Sequence, residues 1–386
     1  MEKSWFAPLP DSLLEWKEEL SDETLGARLS FHSEGSFPSI EGVKIALISV
    51  SEYRGSQQTF EFDFTAFRKE LYQLCLGNWD LEIVDLGMLK SGAELSDTHA
   101  ALSSSLSDLM KEGVIPIVIG GSHDLSLPLY SAYRKLEQSV NLAMVDAKID
   151  LKRLDDRPSS DNFLAHILLE QPNILFNYSH IAHQSYFVPD DTEGVLQKMH
   201  FDFLRLGRLR EDRTLIEPIL RDADILSFDV KSIRGHEMPA QAKPGPNGLA
   251  GDEVCAITRY AGISDKLTSL GLFEYRPDLD ERNLGGQLLA QMIWYFIEGV
   301  SLRKNDFPFG DRSDYQKFTV ALEQEDDLVF FKSPRSGRWW MEVPFPDSAS
   351  SKFKRHCLVP CNYEDYERAL TGEVPERWWQ ALHKLI

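Results

Sequence analysis

Through residue 303, short apolar runs alternate with stretches whose apolar residues recur every three or four positions. The runs at 43–50, 81–87, 114–119, 141–145, 174–182, 203–207, 226–229 and 268–273 predict strands, and the periodic stretches at 64–76, 97–112, 125–135 and 288–300 predict helices. Asp97 is the expected N-cap of the second helix. Strands that alternate with helices of this length are typical of βαβ units. The sequence therefore predicts an α/β fold with a mainly parallel sheet.

Three parts of the chain differ in pattern. We expect residues 1–40 to form an N-terminal extension, 41–303 the α/β domain, and 304–386 a C-terminal extension. In the last part, runs at 318–322, 328–331 and 339–343 predict antiparallel strands, and 363–370 predicts a helix. Glycines and prolines predict a long irregular loop between 230 and 258, and the acidic run 323–327 predicts a solvated turn.

Composition narrows the choice of partners. The net charge is −20, with no compensating basic stripe, which argues against nucleic acid and anionic membranes as partners. The first residues lack the apolar core of a signal peptide, and no run reaches the roughly 18 apolar residues of a membrane helix. Four cysteines in 386 residues are too few for a disulfide framework. A soluble, cytoplasmic protein with a small-molecule or protein partner is expected.

Ionisable side chains follow three of the predicted strands at the point where each strand ends. Carboxyl ends of parallel strands meet at one edge of a sheet, where ligand sites lie. The groups expected there are one imidazole, three carboxylates and two ammonium groups, from His123, Asp146, Asp150, Asp229, Lys148 and Lys231. Each residue alone is more often a structural hydrogen-bonding group or a cap. Together, the imidazole and carboxylates form a hard ligand set that suits manganese or another divalent ion.

These segments resemble the ureohydrolase family of arginase, agmatinase and formimidoylglutamase. The family's Gly-Gly-x-His motif matches 120–123, its Asp-x-His-x-Asp motif matches 146–150, and its Ser-x-Asp-x-Asp motif matches 227–231. The segments around 120–126 and 175–188 are most similar to formimidoylglutamase-like members. The resemblance implies a three-layer α/β/α sandwich, a homo-oligomer, and a two-manganese site that hydrolyses C–N bonds of linear amidines or guanidines.

Two departures from the family motifs alter that expectation. Lys148 stands where the second motif has histidine, and Lys231 stands where the third has its second aspartate. The resemblance implies that the remaining ligands, His123, Asp146, Asp150 and Asp229, hold one metal, while both losses fall on the other. No two-metal centre is expected. With the ammonium groups of both lysines against the carboxylates, the metal-free cluster is predicted to be lower in electrostatic energy than a metal-bound one. If one lysine turns away, one divalent ion is expected, and manganese is the first choice.

Other candidates follow from the same resemblance. Asp150 and Glu274 are the candidate catalytic residues. Glu274 and, more weakly, His166 are candidates for binding a small amidine or guanidine ligand; the alternative role of Glu274 is a strand-end acid paired with Arg276. The segment 356–361, with one histidine and two cysteines, lacks a second cluster for zinc and is expected to be buried packing.

Three functions remain open at this point. The leading hypothesis is a catalytically impaired or inactive homologue with a binding, structural or regulatory role, because Lys148 and Lys231 replace ligands of the second metal. The alternative is an active, formimidoylglutamase-like hydrolase that uses one remaining divalent ion. A remoter alternative is lysine-based chemistry, in which crowded cations depress the pKa of one ammonium group and create a nucleophile.

Overall fold

The computed structural model describes residues 1–59, 61–155, 157–309, 312–322, 327–346 and 351–386. Except for Asp327, the acidic run predicted to be a solvated turn lies outside the described residues. Among the described helices, none is long and apolar enough to cross a bilayer.

Ten strands of the described chain form one sheet. They are β1 (Phe6–Ala7), β2 (Ser30–Phe31), β3 (Ile45–Val50), β4 (Ile83–Leu89), β5 (Ile115–Ile119), β6 (Val140–Val145), β7 (Leu175–Ile181), β8 (Asp202–Leu204), β9 (Ile225–Asp229) and β10 (Ser269–Phe273). Their order is β1-β4-β3-β5-β10-β9-β6-β7-β8, and β2 also pairs with β4. The β1–β4 pairing is antiparallel and the other described pairings in this sheet are parallel. The prediction of a mainly parallel sheet is confirmed.

Helices cover both faces of this sheet. The α-helices that the structure describes are α1 (Asp11–Lys17), α2 (Leu25–Arg28), α3 (Thr65–Tyr72), α4 (Leu95–Lys111), α5 (Ser126–Lys135), α6 (Phe163–Leu169), α7 (Asp190–Gln197), α8 (Leu206–Glu211), α9 (Ile216–Asp222), α10 (Gly251–Ile263), α11 (Leu284–Ser301), α12 (Tyr363–Leu370) and α13 (Glu376–Leu385). Along β3, Ile45 and Leu47 pack in the core with α3, α10 and α11, while Ala46 and Ile48 pack with α4, α5 and α6. This alternation builds the expected three-layer sandwich.

Three predicted boundaries are wrong. In each case a helix begins at a residue that the sequence pattern did not mark as a helix start. Helix α4 is capped by Glu94, and Asp97 sits in its first turn, where the carboxylate accepts the backbone N–H of Glu94 at 2.9 Å. Glu253 accepts the backbone N–H of Ala250 at 2.7 Å in the same way, so α10 begins inside the predicted loop 230–258. The predicted strand 203–207 stops at Leu204 because α8 begins at Leu206.

The C-terminal extension is a second sheet with two helices. Its strands, β11 (Gln316–Val320), β12 (Leu328–Lys332), β13 (Trp339–Glu342) and β14 (Leu358–Cys361), pair antiparallel in that order. His356 Nε2 lies 2.9 Å from Ser139 Oγ, and Arg355 donates to Asp224 at 2.8 Å. Ser139 and Asp224 directly precede β6 and β9. The extension therefore packs at the amino ends of the parallel strands, opposite the edge where the ionisable residues lie.

Buried Arg221 connects α9 to the second sheet through hydrogen bonds. Its guanidinium donates to the carbonyl oxygens of Trp339 at 2.9 Å and Cys361 at 2.8 Å, and it lies 4.7 Å from the centre of the Trp340 ring. Without the guanidinium, these two buried carbonyls would lose their donors. Such losses cost roughly 1–3 kcal/mol each.

We expect Arg221→Met to lower the free energy of unfolding by about 2–4 kcal/mol in urea denaturation. The matched control is Arg335→Met, because Arg335 is exposed on the same extension; its effect should stay within about 0.5 kcal/mol. Equal effects of the two substitutions would show that the hydrogen bonds of Arg221 to the second sheet do not stabilise the fold.

Candidate metal centre

A glycine pair turns the chain at the end of β5. Gly120 and Gly121 have φ angles of +84° and +80°. A Cβ on Gly120 would lie 2.3 Å from the Phe64 ring, and one on Gly121 would lie 2.2 Å from Leu125 Cδ1. Only glycine fits both positions without strain. The turn carries His123, which is 0% exposed, into the space between the strand ends.

Four ligand atoms converge there. His123 Nδ1 lies 3.0 Å from Asp150 Oδ2, 3.4 Å from Asp146 Oδ2 and 3.5 Å from Asp229 Oδ2. One ligand atom from each of these four buried residues lies within 4.8 Å of those from the other three. The structure thus brings together the four residues that the sequence singled out as metal ligands.

Neighbouring groups orient these ligands toward a common centre. Asp146 Oδ1 accepts the backbone N–H of Lys148 at 3.0 Å, and Asp229 Oδ1 accepts the backbone N–H of Lys231 at 2.7 Å. The Oδ2 atoms of both aspartates are buried and accept no hydrogen bond from the described part of the chain. His123 Nε2 lies 3.1 Å from Ser227 Oγ, so an Nε2–H that donates there would leave Nδ1 to ligate a cation once the cation displaces the Nδ1 proton. This arrangement fits a divalent cation.

The cluster is short of positive charge. Burial raises the pKa of Asp150 well above its usual value, and adjacent Asp146 adds to that rise. Burial raises the pKa of Asp229 to about 7 despite nearby Lys231. Burial alone would lower the pKa of His123, but Asp146 and Asp150 raise it to about 10. Crowded carboxylates that hold protons in this way are the setting in which a bound cation is favourable.

The two lysines take different places. Lys148 is exposed, and its Nζ lies 5.6 Å from the centre of the Phe187 ring. Lys231 Nζ lies 3.2 Å from Asp229 Oδ2 and 3.3 Å from Glu274 Oε2. The expectation that both ammonium groups balance the carboxylates is therefore wrong for Lys148, because a hydrated ammonium over a ring face avoids the cost of burial. A metal-free cluster is correspondingly less favourable than the sequence suggested.

Both carboxylate oxygens of Glu274 contact polar groups of the protein. It follows β10 with a φ of +64°, an uncommon conformation for a side-chain-bearing residue. Its Oε1 accepts the backbone N–H of His123 at 3.0 Å and the hydroxyls of Ser56 and Ser160, each at 2.6 Å. Burial alone would raise the pKa of Glu274, but Lys231 and the two serines lower it. The alternative pairing with Arg276 is wrong, since Arg276 pairs with Asp278 at 2.6 Å.

Several of these partners were missed from the sequence. Ser56 and Ser160 belong to polar loops that carry many hydroxyls, so nothing marked these two residues out. His180 was read only as part of a strand, yet its Nε2 lies 3.2 Å from the carbonyl oxygen of Asp146. Its position two residues before the end of the predicted strand 174–182 was the available signal.

A family model supplies the identification. Residues 58–298 match the model of the arginase family, which is more than half of the chain. The chain belongs to the arginase family. The match ends before the C-terminal extension begins, and it includes the glycine pair, all four converging ligands and Glu274.

Relatives of the chain include formimidoylglutamases. The chain is 26% identical to that of Photorhabdus laumondii over 227 residues, which are 55% of this chain and 70% of the relative. It is 26% identical to that of Geobacillus kaustophilus over 214 residues, 53% of this chain and 65% of the relative. The expected resemblance to ureohydrolases of the formimidoylglutamase type is confirmed.

Solved structures share the fold. Trypanosoma cruzi formiminoglutamase with Mn²⁺ superimposes with a TM-score of 0.62 at 21% identity, covering 69% of this chain and 100% of that one. Bacillus subtilis formimidoylglutamase superimposes with a TM-score of 0.61 at 16% identity, covering 76% and 100%. These similarities establish the arginase fold for the main domain.

His166 lies apart from the arginase-family ligand cluster. It is on α6 and lines a groove with Leu127, Leu154 and Glu170. Burial lowers its pKa, and the charged groups that act on it are Asp155 and His99 rather than cluster residues. The structure does not bring His166 to Glu274, its proposed partner in substrate binding.

Proposed function

We propose that the centre binds one divalent cation, through His123, Asp146, Asp150 and Asp229, and that hydrolysis of amidines and guanidines is lost or severely weakened. The observation that carries the proposal is the position of Lys231 Nζ, 3.2 Å from Asp229 and 3.3 Å from Glu274. Paired catalytic metals lie about 3.5–4 Å apart. An ammonium this close to Asp229, a ligand of the first ion, would occupy the space that a second ion needs. The protein would then act as a binding or regulatory homologue of the arginase family.

One cation is favoured over none because the cluster contains more acid than base. Four carboxyl groups, those of Asp146, Asp150, Asp229 and Glu274, face two basic groups, the ammonium of Lys231 and the imidazole of His123, while Lys148 points to solvent. When bound, a divalent ion supplies Lewis acidity at this point. Manganese is the expected ion, as in the related Trypanosoma cruzi structure.

Weak or absent hydrolysis is favoured because the substrate-binding carboxylate is already occupied. Glu274 accepts three hydrogen bonds at Oε1 and faces Lys231 at Oε2. A cationic substrate would have to displace the ammonium of Lys231 from Glu274. The centre therefore lacks both the second ion and a free acceptor for an amidinium group.

The second candidate is an active hydrolase that works with one ion. Lys148, turned away over Phe187, favours it because one side of the cluster is left without an ammonium group. Lysine-based chemistry is disfavoured: burial alone would lower the pKa of Lys231, but Asp229 and Glu274 hold it well above its usual value. A cationic Lys231 is no nucleophile. Borohydride treatment with carbonyl compounds should accordingly leave no adduct on Lys231.

An activity assay separates the two candidates. Manganese-loaded protein is incubated with formimidoylglutamate, agmatine and arginine, and product is followed at neutral pH. We expect turnover at or near the uncatalysed background, because the cluster offers one Lewis acid and no free acceptor. Turnover of about 1 s⁻¹ or more, ordinary for enzymes, would establish the one-ion hydrolase instead.

A further inference from the structure

A groove runs between the main domain and the C-terminal extension along β8, and we call it the β8 groove. Its volume is about 480 Å³, which is within the range of pockets for small organic ligands. One wall comes from β8 and α8, and the other comes from α12 and α13 of the extension. The arginase-family match ends at residue 298, so the second wall lies outside the part of the chain that the family shares.

A recess adjoins the inner end of the β8 groove. Its volume is about 30 Å³, which is room for about two water-sized groups. The residues that line both the recess and the groove are Asp202, Ile219, Arg377 and Gln380. Asp202 belongs to β8 and Arg377 belongs to α13. One carboxylate and one guanidinium therefore line the junction from opposite walls.

These two charged groups are half-buried, and neither makes an ion pair with any residue that the structure describes. Asp202 Oδ2 accepts Asn177 Nδ2 at 2.7 Å and Ser179 Oγ at 2.9 Å, which leaves Oδ1 available to a further donor. Arg377 donates from one Nη to the carbonyl oxygen of Leu215 at 3.1 Å. Its other N–H groups remain available. A ligand that carries both signs of charge would satisfy both side chains.

Lys384 also lines the recess, but it does not neutralise Asp202 by direct contact. Its Nζ donates to Asn177 Oδ1 and makes no ion pair within the described part of the chain. Because Nζ occupies the amide oxygen of Asn177, the amide nitrogen is oriented toward Asp202. Burial lowers the pKa of Lys384, although Asp202 and Asp222 raise it. Asp202 is thus held in place by neutral donors.

The rest of the β8 groove carries charges of both signs. The charged residues that line the groove but not the recess are Arg208, Glu364, Asp365, Arg368 and Glu376. Guanidinium groups only donate hydrogen bonds, and carboxylates only accept them. This part of the groove therefore suits a polar group that both donates and accepts.

We propose that the β8 groove binds a free α-amino acid with a polar side chain. The ammonium of the ligand pairs with Asp202, its carboxylate pairs with Arg377, and its side chain lies in the groove. The planar fork of a guanidinium matches a carboxylate, and charge-assisted hydrogen bonds are the strong ones. The extension packs at the amino ends of the parallel strands, away from the metal ligands. The site goes beyond the function proposed above and does not depend on a bound ion.

Calorimetric titration of the full-length protein with L-glutamine tests this site, because the side-chain amide of glutamine both donates and accepts. We expect glutamine to bind with a dissociation constant below about 1 mM. N-acetyl-L-glutamine lacks the ammonium and L-glutaminamide lacks the carboxylate. Each should bind at least about tenfold more weakly than glutamine. These comparisons use the unaltered protein, so they do not depend on the folding of a variant.

Two substitutions locate the binding. Asp202→Asn keeps an acceptor for Asn177 and Ser179, and Arg377→Gln keeps a side-chain donor. Each should weaken glutamine binding at least about tenfold, because a charge-assisted contact is lost. The matched controls are Asp161→Asn and Arg335→Gln, which make the same charge changes at exposed residues outside the groove lining. They should change the affinity less than about twofold.

Any of three results would overturn the proposal. Absence of glutamine binding up to millimolar concentration would show that no such site exists. Equal affinity for glutamine and either analogue would remove the paired recognition of both charges. Equal weakening by a substitution and its control would show that only long-range charge is sensed. None of these results alters the number of metal ions per chain, so failure here is distinguishable from failure of the proposed one-ion centre.

Discussion

Replacing Lys148 by histidine and Lys231 by aspartate in one protein is expected to create a second metal position and to raise kcat/KM for a linear amidine at least about 10³-fold. Lys231 Nζ occupies the space beside Asp229 and Glu274, so its removal frees both carboxylates. The backbone N–H groups at both positions already orient Asp146 and Asp229, and that role survives substitution. Metal content and steady-state hydrolysis of formimidoylglutamate are the measurements.

Single substitutions and a matched control isolate the cause. Lys148→His alone keeps the Lys231 ammonium in place and should leave one ion and background hydrolysis. Lys152→His is the control, because Lys152 is exposed and pairs with Asp161 at 2.6 Å, away from the cluster. If the double variant bound two ions and still failed to hydrolyse any of the three substrates, the absence of a second ion would not explain the weak activity.

Asp150→Asn is expected to separate metal affinity from stability. Loss of an anionic ligand should weaken manganese binding at least about 100-fold. The same change removes one of the crowded carboxylates, whose pKa burial and Asp146 raise, so the metal-free protein should become more stable by about 1 kcal/mol or more. The two quantities are measured by metal titration and by urea denaturation in the presence of a chelator.

Asp161→Asn is the control for this substitution, since Asp161 is exposed and lies on the same loop. It should leave both quantities unchanged within about 0.5 kcal/mol. A fall in metal-free stability on Asp150→Asn would indicate that the carboxylates are satisfied by the chain itself, contrary to the charge shortage inferred here.

The metal ligands could be predicted from the sequence for two reasons. The strands that carry them are marked by local apolar runs, and the parallel topology of the sheet brings the ends of those strands together. His123, Asp146 and Asp229 each follow an apolar run, and parallel strands bring such ends to one edge. The direction of Lys148 was beyond prediction, because a lysine at that position can reach either solvent or the cluster, and the choice depends on Phe187 from another loop. The hydrogen bonds from the hydroxyls of Ser56 and Ser160 to Glu274 could not be predicted for the same reason, because these residues come together only in the folded chain.

The extension shows the same limit at the level of the fold. Its three apolar runs predicted strands, but the fourth strand, β14, is only four residues long and contains Pro360, and α13 went unrecognised. Local pattern also carries no information on which sheet edge an added sheet will cover. The contacts of Ser139 and Asp224 place it at the amino edge. Among the described residues of the extension, none is a ligand of the metal centre.

Metal content per chain tests the central claim most directly. The protein is loaded with manganese, desalted and measured by plasma mass spectrometry against protein concentration. A single ion per chain, lost on Asp150→Asn, is the predicted result. Two ions per chain would contradict the replacement of one ion by Lys231, and none would contradict the inference that the carboxylate cluster requires a cation.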